Sequence, residues 1–180
     1  MILKFPDFNK IFEISCDASD FSIGGALHQR DDNGSLRPIM FFSRKLSKAQ
    51  RNYSTVEKEC NAIIQSLRAA RPIVYGYPII VTSDHRPLIW VISKTKPTGR
   101  LSRWQVELMD YNLTIKFIDG KLNSVADALS RLVYKDEEDG EKAVINYLYS
   151  EGTNDICLPI AILHNAKEEI QNLVKFDLKM

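Results

Sequence analysis

Between residues 43 and 56 the apolar residues of this chain change their repeat from two to about 3.6, which confines it to a sheet with helices packed against it. On the near side, residues 11–17 (IFEISCD) alternate: Phe12, Ile14 and Cys16 fall on one face, Glu13, Ser15 and Asp17 on the other. Residues 22–28 and 36–43 flank Asp31-Asp32-Asn33-Gly34, a turn signal, so they read as a hairpin and the first three strands as an antiparallel meander. On the far side, Ser54-Thr55-Val56-Glu57 is a capping box, and Val56, Cys60, Ile63, Ile64 and Leu67 then recur at helical spacing. This helix is expected to end before Pro72, which has no amide hydrogen to donate. Residues 78–83 read as a buried strand, and 86–92 begin a short helix with Pro87 in its first turn. Residues 94–99 are a basic loop, 100–110 a helix, 113–118 a strand and 123–132 a last helix. The order βββ-α-β-α-α-β-α predicts an α/β domain with a mixed five-stranded sheet.

Charge divides the chain. Residues 11–133 hold 17 Lys/Arg and 12 Asp/Glu, whereas 134–180 hold 5 and 10, so a net +1 conceals a basic body and an acidic tail. A basic surface around an acidic pocket suits a polyanion approaching through metal ions. The run 135–141 (KDEEDGE) reads as part of a solvated linker, 134–142. Residues 143–180 carry no strong motif and are expected to dock on the domain or form a small helical appendage. No apolar run is long enough to span a bilayer, and residues 1–10 lack the apolar core of a signal peptide, so an intracellular protein with no membrane partner is expected. Cys16, Cys60 and Cys157 fit no zinc-ligand spacing and read as reduced and mostly buried.

Four carboxylates stand out. Asp17 and Asp84 each close a predicted strand, where a turn or helix-cap role competes with a ligand role. On the first helix Glu57 is explained by the capping box and shares a face with Asn61, Gln65 and Arg68. Glu59 instead lines up with Ala62, Ser66 and Ala69, small residues that let a helix approach a sheet, and is the acid aimed inward. A buried carboxylate is costly unless paired or metal-bound. Asp127 falls in the first turn of the last helix, where a helix-dipole role is the plain alternative, with Asn123 as the cap. Clustered carboxylates are the hard ligands of Mg²⁺ or Mn²⁺. Two such ions roughly 3.5–4 Å apart can activate a water and stabilise a leaving oxygen on phosphorus.

Several blocks, in order, resemble the ribonuclease H domain of gypsy-type LTR retrotransposon polyproteins. They are Cys16-Asp17-Ala18-Ser19 with Ile23-Gly24-Gly25-Ala26-Leu27, Phe42-Ser43-Arg44-Lys45-Leu46 and Asn52-Tyr53-Ser54-Thr55-Val56-Glu57-Lys58-Glu59. Thr82-Ser83-Asp84-His85-Arg86-Pro87-Leu88, Arg100-Leu101-Ser102-Arg103-Trp104 and Asn123 to Arg131 follow. The resemblance covers roughly residues 3–132. It implies a ribonuclease H-like fold over 11–133, to which the linker and small helical appendage read from composition would be attached. It implies two Mg²⁺ ions, with Mn²⁺ as substitute, on Asp17, Glu59, Asp84 and Asp127, and hydrolysis of the RNA strand of an RNA–DNA hybrid. Gly25 departs from the Val of many relatives, and the loop 119–122 lacks the His of some cellular enzymes.

In intact elements such a domain lies in cis between a reverse transcriptase and an integrase. Residues 1–10 then read as residual connector from the polymerase and 143–180 as connector toward the integrase. The chain reads as a polyprotein fragment or a degraded copy. A homodimer would run through the absent domains, and a cytoplasmic virus-like particle would house an active element. Lys94, Lys96, Arg100 and Arg103, near Trp90 and Trp104, are the expected hybrid contacts, with solvation of the cations and core packing of the tryptophans as alternatives. Two other readings stay open. One is a non-catalytic, connection-like or remnant module. The other is an integrase-like nuclease, which would need its Glu last, whereas Glu59 comes second.

Overall fold

The period-two segments form a sheet whose central strand carries the first acid. The computed structural model describes residues 3–88 and 99–131 with side chains, and 143–146 as backbone. Strand β1 is Phe12–Ala18, β2 Ser22–Arg30 and β3 Leu36–Lys45. They form the expected antiparallel meander, with Asp17 opposite Gly24. The β2–β3 turn is set by Asp31, whose Oδ1 accepts from the amides of Asn33 and Ser35, and by Gly34 at φ +80°. Strand β4, Ile79–Ser83, pairs parallel with β1, and β5, Leu113–Phe117, parallel with β4. The sheet order is β5-β4-β1-β2-β3-β6.

The sixth strand, β6 (Ala143–Asn146), pairs antiparallel with Phe41–Arg44 of β3. It lies in the segment that carried no motif, so the sheet is one strand wider than the sequence pattern indicates. The helical appendage was expected over 143–180, of which residues 147–180 lie outside the described residues, as does the linker 134–142.

A short helix, α1 (Lys48–Arg51), precedes the long helix α2 (Thr55–Val74). Both begin with capping boxes, Ser47 with Gln50 and Ser54 with Glu57. Helix α2 runs through Pro72 rather than stopping before it. Proline inside a helix costs about 3 kcal/mol. Here it falls in the last turn, and the residues around it, Ala70 and Val74, are both fully buried. Their burial offsets the missing bond. Residues 87 and 88 are helical as expected, and the rest of that segment lies outside the described residues. Helix α3 is Arg100–Leu108 and α4 Ser124–Ser130, the latter entered through a 3-10 turn at Gly120–Leu122.

Alternation divides the sheet faces. Phe12, Ile14, Cys16, Ile23 and Leu27 pack with Ile63, Ile64 and Leu67 of α2 in the main core. Ala26, Phe41, Leu129 and Leu3 form a smaller cluster on the other face, under α4. Two adjacent glycines of β2 let both helices approach. A Cβ on Gly25 would lie 2.2 Å from Ser66 Oγ of α2, and one on Gly24 would lie 2.4 Å from the Ser130 amide nitrogen of α4. The segment before β1 is tied down by the buried Gln29, whose amide bonds the main chain of Asp7 and Lys10. Among the described residues, no helix is long and apolar enough to cross a membrane.

Candidate active site

Asp17 sits near the end of β1 and is 6% exposed. It plays no part in the turn that follows. There Ser19 accepts from the amides of Phe21 and Ser22 through Oγ, so the turn chemistry is satisfied without the acid. Glu59, on the second turn of α2, is equally buried, and Asp84 follows the last residue of β4 half-buried. One carboxylate oxygen from each of these three acids lies within 4.8 Å of the others. Among the described residues it is the one such gathering of potential metal ligands.

The environment disfavours three negative charges. Burial first, then the Asp17 and Asp84 charges, push the Glu59 carboxyl up to about 8, against a bond from the Ala18 backbone. Its Oε2 is buried with no hydrogen-bond partner. Burial, with the Asp84 and Asp127 charges, also raises Asp17, opposed by a hydrogen bond from Ser130 and by the Arg131 charge. An unpartnered buried carboxylate oxygen beside two more acids is a cost that a divalent cation would relieve. The donor set therefore fits magnesium or manganese.

The helical facing that separated the two glutamates holds. Glu57 caps α2, its Oε2 accepting from the Ser54 amide at 3.0 Å, while Glu59 turns inward with Ala62 and Ser66, both buried. The polar face assigned to Glu57 is less uniform than its spacing suggests: Arg68 is exposed, but Asn61 is 1% exposed.

Asp127 stands apart from the triad. Its side chain is 44% exposed and ion-paired with Arg131 at 2.6 Å, although its charge is felt at Asp17. Asn123 occupies the cap position of α4 but makes no side-chain cap bond. Its Nδ2 donates instead to the Cys16 carbonyl at 3.0 Å, which fixes the start of α4 to the strand carrying Asp17. The expected cap is thus a tether. Gly120 abuts Asp84, where a Cβ would come 2.9 Å from Oδ2.

Of the expected hybrid contacts, Lys94, Lys96 and Trp90 lie outside the described residues. Arg103 is exposed on α3. Arg100 is engaged internally: Nη1 donates to Glu57 Oε1 at 2.6 Å and the guanidinium lies 3.8 Å from the centre of the Tyr53 ring. It fastens α3 to the start of the helix that carries Glu59. Trp104 packs against the main core and the Tyr53 ring. Cys16 and Cys60 are free and buried, and burial pushes both thiols up to about 12.

Residues 7–111, more than half of the chain, match the model of the RNase H-like domain found in reverse transcriptase. The chain belongs to that family. This RNase H-like domain is 39% identical over 173 residues, 96% of its length, to the retrovirus-related Pol polyprotein from transposon 297 of Drosophila melanogaster. It is 34% identical over a 194-residue alignment, 97% of its length, to the transposon Tf2-3 polyprotein of Schizosaccharomyces pombe. The chain spans 14% of the length of each of these curated relatives.

Solved structures show the same fold. A foamy viral protease-reverse transcriptase bound to dsDNA aligns with a TM-score of 0.54 at 18% identity, over 65% of this chain and 25% of that one. The same viral protein with an RNA/DNA hybrid aligns at 0.51 and 18%, over 78% and 19%. Strands β1 to β5 with their flanking helices are the RNase H-like mixed sheet, and β6 extends it.

Proposed function

We propose that this domain hydrolyses the RNA strand of RNA–DNA hybrids endonucleolytically during retrotransposon reverse transcription. The observation that carries the proposal is the gathering of Asp17, Glu59 and Asp84 within 4.8 Å at the strand ends, with a buried Glu59 oxygen left without a partner. Asp17, Glu59 and Asp84 would hold a divalent ion, and Asp17 with Asp127 would hold a second. Magnesium, or manganese in its place, would supply activation of a water and charge compensation at the departing 3′ oxygen.

The chain's own residues orient that chemistry. Asp17 and Asp84 are delivered by parallel neighbouring strands, so their spacing is set by the sheet. Asp127 comes from a helix tied to the same strand through Asn123. Asp127 must exchange its pairing with Arg131 to join the others, a small cost for an exposed i,i+4 pair. Hybrid binding would fall to Arg103 with Lys94 and Lys96, reading groove shape and 2′-hydroxyls more than sequence. Arg100 would hold the helix rather than the phosphate. The Pol polyprotein relatives, of which the chain spans a small part, support a polymerase and an integrase as partners in cis. An intracellular setting, and a cytoplasmic virus-like particle for an active element, belong to the same proposal.

The test uses the purified chain, Mg²⁺ and a hybrid labelled on its RNA strand. Short RNA with 5′-phosphate and 3′-hydroxyl ends is expected, and none from Asp17→Asn. Intact RNA with the parent chain would overturn the proposal. A connection-like structural module would give that result and would also bind no Mn²⁺.

A further inference from the structure

The residue that governs Asp17 most directly is not an acid. Ser130, the last residue of α4, is fully buried, and its Oγ donates to Asp17 Oδ2. The hydroxyl has one proton and a second acceptor within reach, the Asp127 carbonyl at 2.8 Å. The carboxylate takes it, because a hydrogen bond to an ionised acceptor is roughly twice as strong as a neutral one. Ser130 is itself held on all sides. Its carbonyl accepts from Ser19 Oγ at 2.6 Å and from Ser22 Oγ, and its amide nitrogen stands where a side chain on Gly24 would be. Ser130 also follows Asp127 by three residues, so one face of one helix presents the fourth acid and the hydroxyl that holds the first.

We propose that Ser130 is a positioning residue for the metal centre: it fixes the Asp17 carboxylate by occupying one lone pair of Oδ2, leaving the remaining lone pairs aimed at Glu59, Asp84 and Asp127. This rests on the metal-dependent reading of the site. A carboxylate offers about four lone-pair directions, and a shared ligand of two ions needs its rotation settled before they arrive. The Ser19–Ser22–Gly24 cradle makes Ser130 rigid enough to do that. It also explains why the turn after β1 spends two serine hydroxyls on one carbonyl.

The test is Mn²⁺ affinity, read by electron paramagnetic resonance, set against thermal stability for the full chain and two variants. Ser130→Ala should raise the Mn²⁺ dissociation constant by about 10- to 100-fold. Ser43→Ala removes a comparable buried bond, Oγ to the Leu129 carbonyl at 2.7 Å, from the same helix end. It should lower the melting temperature comparably and leave the affinity within about twofold, inside the few-tenths-of-a-kcal/mol range expected for uncoupled sites. Equal affinities for the two variants would overturn the positioning role while leaving the metal site standing. Absence of Mn²⁺ binding by the parent chain would overturn the metal reading, and this role with it. If Ser130→Ala does not fold, Ser130→Cys, which fills the space but donates weakly, takes its place. Affinity at the parental value would then contradict the role.

Discussion

Replacing Glu59 with Gln should make the metal-free protein more stable, although the acid is proposed to be essential for hydrolysis. Glu59 is 6% exposed, has one oxygen without a partner, and titrates near 8 rather than 4.5 because of burial and the Asp17 and Asp84 charges. The folded state therefore holds this proton more tightly than the unfolded chain does. Its contribution is fully present below pH 4.5 and is lost as pH rises through about 8. At 1.36 kcal/mol per pH unit the loss is on the order of 3 kcal/mol at pH 7 and larger at pH 8.5. Glu59→Gln removes the charge and so removes this loss, whereas the smaller upward shift of Asp17 acts in both proteins. Urea denaturation in EDTA at pH 5 and pH 8.5 measures the effect. The two proteins should be close at pH 5, and the variant should be clearly more stable at pH 8.5. With saturating Mg²⁺ the parent protein should regain most of the difference. Parallel pH curves for the two proteins, or a variant less stable at pH 8.5, would refute the electrostatic account of the site.

Other outcomes follow from the same geometry. Gly25→Val should cost roughly 1–3 kcal/mol through overpacking against Ser66, and a further Ser66→Ala should return part of it, measured by chemical denaturation. Arg103→Ala should weaken hybrid binding and reduce the salt slope by about one, read from affinity against ionic strength. Arg100→Ala should instead leave the salt slope unchanged and lower stability by about 1 kcal/mol, since its guanidinium is spent on Glu57 and Tyr53. Asp127→Asn should abolish RNA cleavage yet keep one Mn²⁺ on the remaining three acids, seen as a halved stoichiometry in calorimetry.

Much of this was legible in residue order because the signals are local. The meander, the capping box at Ser54 and the inward helical face of Glu59 follow from spacing alone. What was hidden depends on contacts across the fold. Pro72 marks a helix end by its own chemistry, but the burial of Ala70 and Val74 carries α2 past it. Asn123 looks like a cap, yet a carbonyl of β1 107 residues away takes its amide. Strand β6 has no pattern of its own and is defined by pairing with the edge of β3. The pairing of Arg100 with Glu57 and Tyr53, more than 40 residues earlier in the chain, has no signal in local spacing. Ser130 and Arg131 lay within a recognised block but had no signal as individual residues. Their partners, Asp17 and Asp127, identify them only in three dimensions.

Anomalous diffraction at the manganese edge, from crystals of this chain equilibrated with MnCl₂, addresses the metal centre itself. Two peaks are expected, one among Asp17, Glu59 and Asp84 and one between Asp17 and Asp127, and both should vanish in Asp17→Asn. No peak at these carboxylates, with Mn²⁺ bound elsewhere or not at all, would contradict the assignment of these acids as a two-ion centre.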